Sequence, residues 1–220
     1  MNEKDFTAIL EGILRNVVEQ IGTGTPGNDC STIKDPIPVE LSGRHVHLSE
    51  SDALALFGTS LTPVRELSQP GQFLCKERVR LIGPKGVMDN VAVLGPSRDS
   101  SQVEISKTDC RILGIDAPVR QSGDIASTPG IILASQTGIV GLEEGVIVAA
   151  RHIHMSPEDS RRFGVSDRDK VQVQLDGDRP LTLQDVLVRV DPSFKLAMHI
   201  DPDEGNSAGW NNAVTGHIVC

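Results

Sequence analysis

Six histidines are spread over the 220 residues of this chain, and four of them fall into two His-x-His triplets in matching contexts: Arg44-His45-Val46-His47-Leu48-Ser49 and Arg151-His152-Ile153-His154-Met155-Ser156. In a strand, residues i and i+2 point to one face, so each triplet offers two imidazoles to a single ion. One strand histidine is ordinarily a satisfied structural residue, but that reading does not account for two duplicated pairs. Each pair needs a third ligand from elsewhere. Val103-Glu104-Ile105 and Met198-His199-Ile200 occupy corresponding places downstream of the two triplets and put a metal-competent side chain at the same point. The expected sets are therefore His45, His47 and Glu104 for one metal and His152, His154 and His199 for a second. Imidazole and carboxylate suit zinc, and iron, manganese, nickel or cobalt also accept these donors. Three protein ligands leave a coordination position open, as in a catalytic zinc site, where an ion polarises a carbonyl and holds an anionic nucleophile. Arg98 precedes Glu104 in a segment whose parallel in the second copy has Phe194 instead. A guanidinium there could grip phosphate through paired hydrogen bonds.

The elements that must carry these residues repeat as well. Ser49 and Ser156 are each followed three residues later by aspartate, Asp52 and Asp159, which predicts a helix with a reciprocal capping box after each triplet. Both copies then reach Phe-Gly, at Phe57-Gly58 and Phe163-Gly164. Strand-like stretches precede the triplets, at 37–41 and 145–149. Alternating β-branched pairs follow them, 78–83 with 90–95 and 170–175 with 185–190. The first copy carries extra residues, which we place at Thr59 to Gly71. The pattern predicts a mainly β protein: two tandem small β-barrel domains from an internal duplication, 37–125 and 126–220, with short helices.

Residues 1–21 read differently. Phe6, Ile9, Leu10, Ile13, Leu14, Val17, Val18 and Ile21 follow a helical period with charges between them, which predicts an N-terminal amphipathic helix. A Gly-, Pro- and Asn-containing linker, 22–36, tethers it, so the helix is expected to dock on a partner. A formal charge of −9 argues against nucleic-acid binding or attraction to an anionic membrane, so an anionic ligand needs a local basic site. No apolar run approaches the length of a membrane span. Cys30, Cys75, Cys110 and Cys220 lie far apart and away from metal-ligand spacing, which points to a reducing compartment. Two rival readings remain at this level. One is a cupin-like metal-dependent isomerase or oxygenase, in which Glu158 would join His152 and His154. The other is a scaffold protein that keeps its metals for stability.

Taken together, Gly43 to Ser49, Leu67 to Phe73, Val103 to Ser106 with Asp109, Arg151 to Ser156, and His199 to Asp201 with Glu204 to Asn206 resemble the phosphate propanoyltransferases (phosphotransacylases) of bacterial microcompartments. The resemblance covers nearly the whole chain. It implies tandem β-barrels, two zinc ions per chain between them, and interconversion of a short-chain acyl-CoA plus phosphate with an acyl phosphate plus CoA. It places zinc ligands on His45, His47, Glu104, His152, His154 and His199 and a catalytic arginine on Arg98. Coenzyme A contacts fall on Ser42, Arg65, Leu94, His199 and Asn206, while Ala92 stands where a further basic contact is expected. It also implies that the N-terminal helix docks on microcompartment shell or cargo proteins, that the enzyme works in the compartment lumen, and that the chain forms a homo-oligomer.

Overall fold

The computed structural model describes residues 35–219. The expected helix over residues 1–21 and nearly all of the linker lie outside the described residues, as do Cys30 and Cys220. Fifteen strands follow in order: β1 (Ile37–Leu41), β2 (His45–Ser49), β3 (Pro63–Glu66), β4 (Phe73–Ile82), β5 (Val87–Arg98), β6 (Gln102–Glu104), β7 (Val119–Arg120) and β8 (Ile131–Ala134), then β9 (Ile139–Leu142), β10 (Val146–Ala149), β11 (His152–Met155), β12 (Lys170–Leu175), β13 (Leu181–Val190), β14 (Ala197–Ile200) and β15 (Thr215–Val219). The protein is mainly β. One body is a closed six-stranded barrel, β1-β14-β11-β13-β12-β15, and the other is a curled nine-stranded sheet in which β3 pairs with β4 beside the path β7-β10-β6-β2-β5-β4-β8-β9.

The two bodies share a plan. Triplet strand β2 lies between β5 (parallel) and β6 (antiparallel), and β11 lies likewise between β13 and β14. The barrel closes through β1 and β15. In the open sheet, the corresponding seam includes a hydrogen bond from Val146 N–H to the Pro129 carbonyl (3.0 Å), and Pro129 has no N–H to return. Asn90 and Asp185 hold matching left-handed positions, with φ of 58° and 52°. These residue types accept that conformation more readily than most, and both ladders shift register nearby.

The strands that precede the triplets are exchanged. β1 belongs to the barrel, where it runs parallel to β14, and β10 belongs to the open sheet, where it runs parallel to β6. Sheet membership therefore crosses the expected division at residue 125: β1 joins the second body, and β8, β9 and β10 join the first. A short, largely apolar strand pairs wherever an edge of matching register is open, and each of these strands meets that edge in the other body.

Burial follows strand alternation. Val46 and Leu48 enter a core with Val79, Leu81, Val91, Val93, Val103, Leu133 and Val146, while Ile153 and Met155 are fully buried in the barrel. The opposite faces of β2 and β11 are left to the histidines. Each triplet strand is followed by a short helix, Glu50–Phe57 or Pro157–Phe163, that ends on a left-handed glycine, Gly58 or Gly164. Only the second has the full capping box expected of both. The Asp52 carboxylate accepts from the Ser101 hydroxyl instead of from the Ser49 amide, because Ser101 lies beside it and has no counterpart in the second copy.

Candidate active site

The strand registers bring the predicted ligands together. His45 lies directly opposite Glu104 across β2 and β6, and His152 lies directly opposite His199 across β11 and β14. Opposed residues of an antiparallel pair place their Cβ atoms about 4.5–5.5 Å apart, so the third side chain of each set falls beside the first histidine. In the first cluster, candidate ligand atoms of His45, His47 and Glu104 lie within 4.8 Å of one another. The nearest approach is His45 Nε2 to Glu104 Oε2, 3.5 Å. In the second, the rings of His152, His154 and His199 sit with centroids 4.7–5.2 Å apart.

Matching hydrogen bonds orient the first histidine of each pair. His45 Nδ1 faces the Gly43 carbonyl and His152 Nδ1 faces the Ala150 carbonyl, both at 2.8 Å. A proton on each Nδ1 leaves Nε2 as the free lone pair. The arginines that open the motifs have an equally matched role. Arg44 forks onto Asp109 (3.0 and 2.8 Å) and Arg151 reaches Glu204 (2.6 Å). Asp109 and Glu204 are the third residues of the helices that follow the third-ligand strands, Lys107–Leu113 and Pro202–Ala208. Each motif arginine thus ties its histidine strand to the helix that follows the strand carrying the third side chain. Replacing Arg44 with Met is expected to leave Asp109, which is 1% exposed, without its cation. Urea unfolding should register a loss of about 1–3 kcal/mol, and metal affinity should fall ~10- to 100-fold as for other outer-shell changes.

Burial and neighbouring cations keep most of these imidazoles neutral. Burial, then His45 and Arg98, lower His47 to about 3. Burial and His199 lower His152 to about 4, and burial, His152 and His199 lower His154 to about 2. His199 falls to about 4 chiefly through burial, against the opposing pull of Glu104 and with Arg189 and His45 adding to the fall. In the pair His45 and Glu104, burial opposes both charges, yet their attraction prevails, raising His45 and lowering Glu104. The donor sets suit a metal such as zinc, which binds neutral imidazole and carboxylate. Among the described residues, His154 Nδ1 and His199 Nε2 are buried without a hydrogen-bond partner, which a bound ion would relieve, whereas His47, whose Nδ1 is also unpartnered, turns Nε2 toward Glu104.

Both clusters line one cleft of about 1110 Å³, together with Ser42, Arg65, Leu94 and Arg98. Arg98 donates to His47 Nε2 (2.8 Å) and to the Ser122 hydroxyl (2.9 Å). Phe194, its counterpart, instead packs on His154, with ring centroids 4.2 Å apart. Ala92 lines the cleft without a charge. Asn206 stands apart from the other expected coenzyme A contacts. It is exposed and outside the cleft lining, and its carbonyl accepts from Gly209 N–H and Arg179. Glu158, which a cupin reading would use, is exposed on the helix after the triplet and does not reach the cleft.

Three polar residues that the sequence reading did not single out belong to the same site. Gln102 and Ser122 both donate to Glu104 Oε1 (2.6 and 2.7 Å) and so fix the carboxylate. Arg189, paired in register with His154, joins Arg44, Arg65 and Arg98 in the cleft lining. Gln102 was accessible through strand alternation, since it precedes Glu104 by two on the same face. Ser122 and Arg189 carry no comparable sequence signal.

A His-His-Glu group at metal-ligand spacing, a second histidine cluster and four guanidiniums lining one cleft suit an enzyme that handles anionic substrates. A family model described as phosphate propanoyltransferase matches residues 38–211. Proteins of that name from Leptotrichia buccalis, Listeria monocytogenes and Thermotoga maritima are 55%, 48% and 48% identical to this chain. The matches cover 95%, 100% and 96% of this chain and 97%, 97% and 99% of those proteins, respectively. The chain belongs to the phosphate propanoyltransferase family and is an acyltransferase. Among the described residues, no helix is long and apolar enough to cross a membrane.

Proposed function

We propose that the chain interconverts a short-chain acyl-CoA, propanoyl-CoA or acetyl-CoA, plus phosphate with the acyl phosphate plus CoA, and that it holds one zinc ion at each cluster. The observation that carries this reading is the pair of three-residue clusters on one cleft with Arg98 hydrogen-bonded at the first. Zinc, when bound, would supply Lewis-acid polarisation of a thioester carbonyl and charge to hold phosphate. The protein supplies the rest. Arg98, half-buried and fixed by Ser122, presents a planar fork to phosphate. Gln102 and Ser122 hold Glu104 in its ionised, ligand-competent form. Ser42, Arg65, Leu94 and His199 lie along the cleft where coenzyme A would run, whereas Asn206 has no such support.

Transfer is direct in this scheme. A phosphate oxygen bonds to the carbonyl carbon, the C–S bond breaks, and CoA leaves as its thiolate. The two described cysteines are poor nucleophiles. Cys75 and Cys110 are buried, and burial pushes the Cys75 thiol up to about 11. The segment 1–21, whose sequence predicts an amphipathic helix with an apolar stripe, is proposed to dock on microcompartment shell or cargo proteins and hold a homo-oligomeric enzyme in the lumen. The reaction is tested by following CoA release from propanoyl-CoA with varied phosphate. Sequential kinetics are expected, and ping-pong patterns or acyl label trapped on Cys75 or Cys110 would refute direct attack.

A further inference from the structure

The expected insertion, Thr59 to Gly71, contains most of a closed turn, Leu67–Gln72. Leu67 N–H donates to the Gln72 carbonyl (2.9 Å) and Gln72 N–H to the Gln69 carbonyl (3.3 Å), with Gly71 at a left-handed φ of 78°. Strands β3 and β4, which flank the turn, belong to the open sheet that carries the first cluster. Its side chains nevertheless bond to the second body. Gln69 is a loop carboxamide only 3% exposed. Its Nε2 donates to the Lys195 carbonyl (3.0 Å) and its Oε1 accepts from Lys195 N–H (3.2 Å), so one side chain satisfies a whole backbone unit as a paired strand would. Lys195 directly follows Phe194, whose ring rests on His154. The neighbouring Ser68 hydroxyl donates to Glu40 Oε2. Glu40 lies on β1 in register with His199, and the same oxygen is 3.9 Å from His199 Nδ1.

The first cluster has no such external prop. The residue matching Glu40 is Ile147 on β10, in register with Glu104, fully buried and without a polar atom in its side chain. Glu104 is instead held from within its own sheet region by Gln102 and Ser122. We infer that the Leu67–Gln72 turn is a positioning element for the second cluster, with Gln69 setting His154 through Phe194 and Ser68 setting His199 through Glu40. The sequence segment that breaks the duplication thereby sets the ring geometry of the half to which it does not belong. The metal-binding consequence rests on the reading of that cluster as a zinc site, but the effect on the rings does not.

The test uses full-length protein with 15N-labelled histidine, recorded metal-free and zinc-loaded. Gln69→Met keeps side-chain length and removes both hydrogen bonds, and Ser68→Ala removes the link to Glu40. We expect Gln69→Met to move the ring signals of His154 while those of His45 and His47 stay in place, and Ser68→Ala to move His199 alone. Affinity for the second zinc should fall ~10- to 100-fold in Gln69→Met and that for the first should not change. Unmoved rings in both variants, or equal movement at His45 and His47, would overturn the proposal. If Gln69→Met does not fold, the exposed Ser68→Ala decides the matter through His199. Wild-type protein that takes up no zinc would remove the metal reading, while the ring shifts would still test the positioning role.

Discussion

Replacing Arg98 with Lys is expected to lower turnover by ~10² to 10³ while zinc content and coenzyme A binding stay at wild-type levels. The guanidinium contacts two partners at once, Ser122 through one terminal nitrogen and His47 through the other. An ammonium keeps the charge but has no planar pair of donors, so it cannot hold a phosphate in a fixed orientation while remaining tethered to Ser122. The loss should therefore appear in kcat, because orientation matters most as charge builds in the transition state. Zinc is measured by mass spectrometry and coenzyme A binding by calorimetry. A variant that loses zinc would show that Arg98 supports the cluster and would remove the case for a transition-state role.

Ala substitution at His45 or at His152 is expected to cost metal and activity together, by more than the ~10- to 100-fold typical of an outer-shell change. Each of these residues is the one whose Nδ1 faces a backbone carbonyl, so its Nε2 is already aimed away from the strand. Each also stands opposite the third side chain of its set. Removing either leaves two candidate ligands and a wider gap. A chelator should reproduce the loss in the wild type, and zinc should restore it. If His45→Ala retains two zinc ions, the first cluster is not a metal site, and activity in metal-free protein would end the metal reading altogether.

The sequence made one part of this site plain and concealed the rest for identifiable reasons. The triplets were legible because two histidines at strand spacing, repeated in the same surroundings, seldom arise by chance in a chain with six histidines. Glu104 and His199 were legible only as a pair, since an isolated strand glutamate carries no signal, and their registers opposite His45 and His152 place them together. The mainly β class and the long hairpins β4–β5 and β12–β13 followed from alternation and turn residues. Which sheet β1 would join did not. Ile37–Leu41 reads the same whichever edge it pairs with, and its partner β14 is distant in sequence. Ser122 and Arg189 stayed hidden because single polar residues acquire meaning only when long-range pairing sets them beside a ligand. Asp52 shows the opposite failure, a correct local signal overridden by the neighbouring Ser101.

The exchange of β1 and β10 also bears on descent. Two identical half-length subunits that traded their first strands would form a two-fold dimer, and joining them end to end would give the topology seen here. Such a dimer would have carried two identical clusters on one cleft. The present differences, Glu104 against His199, Arg98 against Phe194 and Glu40 against Ile147, are then the marks of a symmetric ancestor specialising after fusion. Separating the halves would take one strand from each sheet, because each half supplies a strand to the other's.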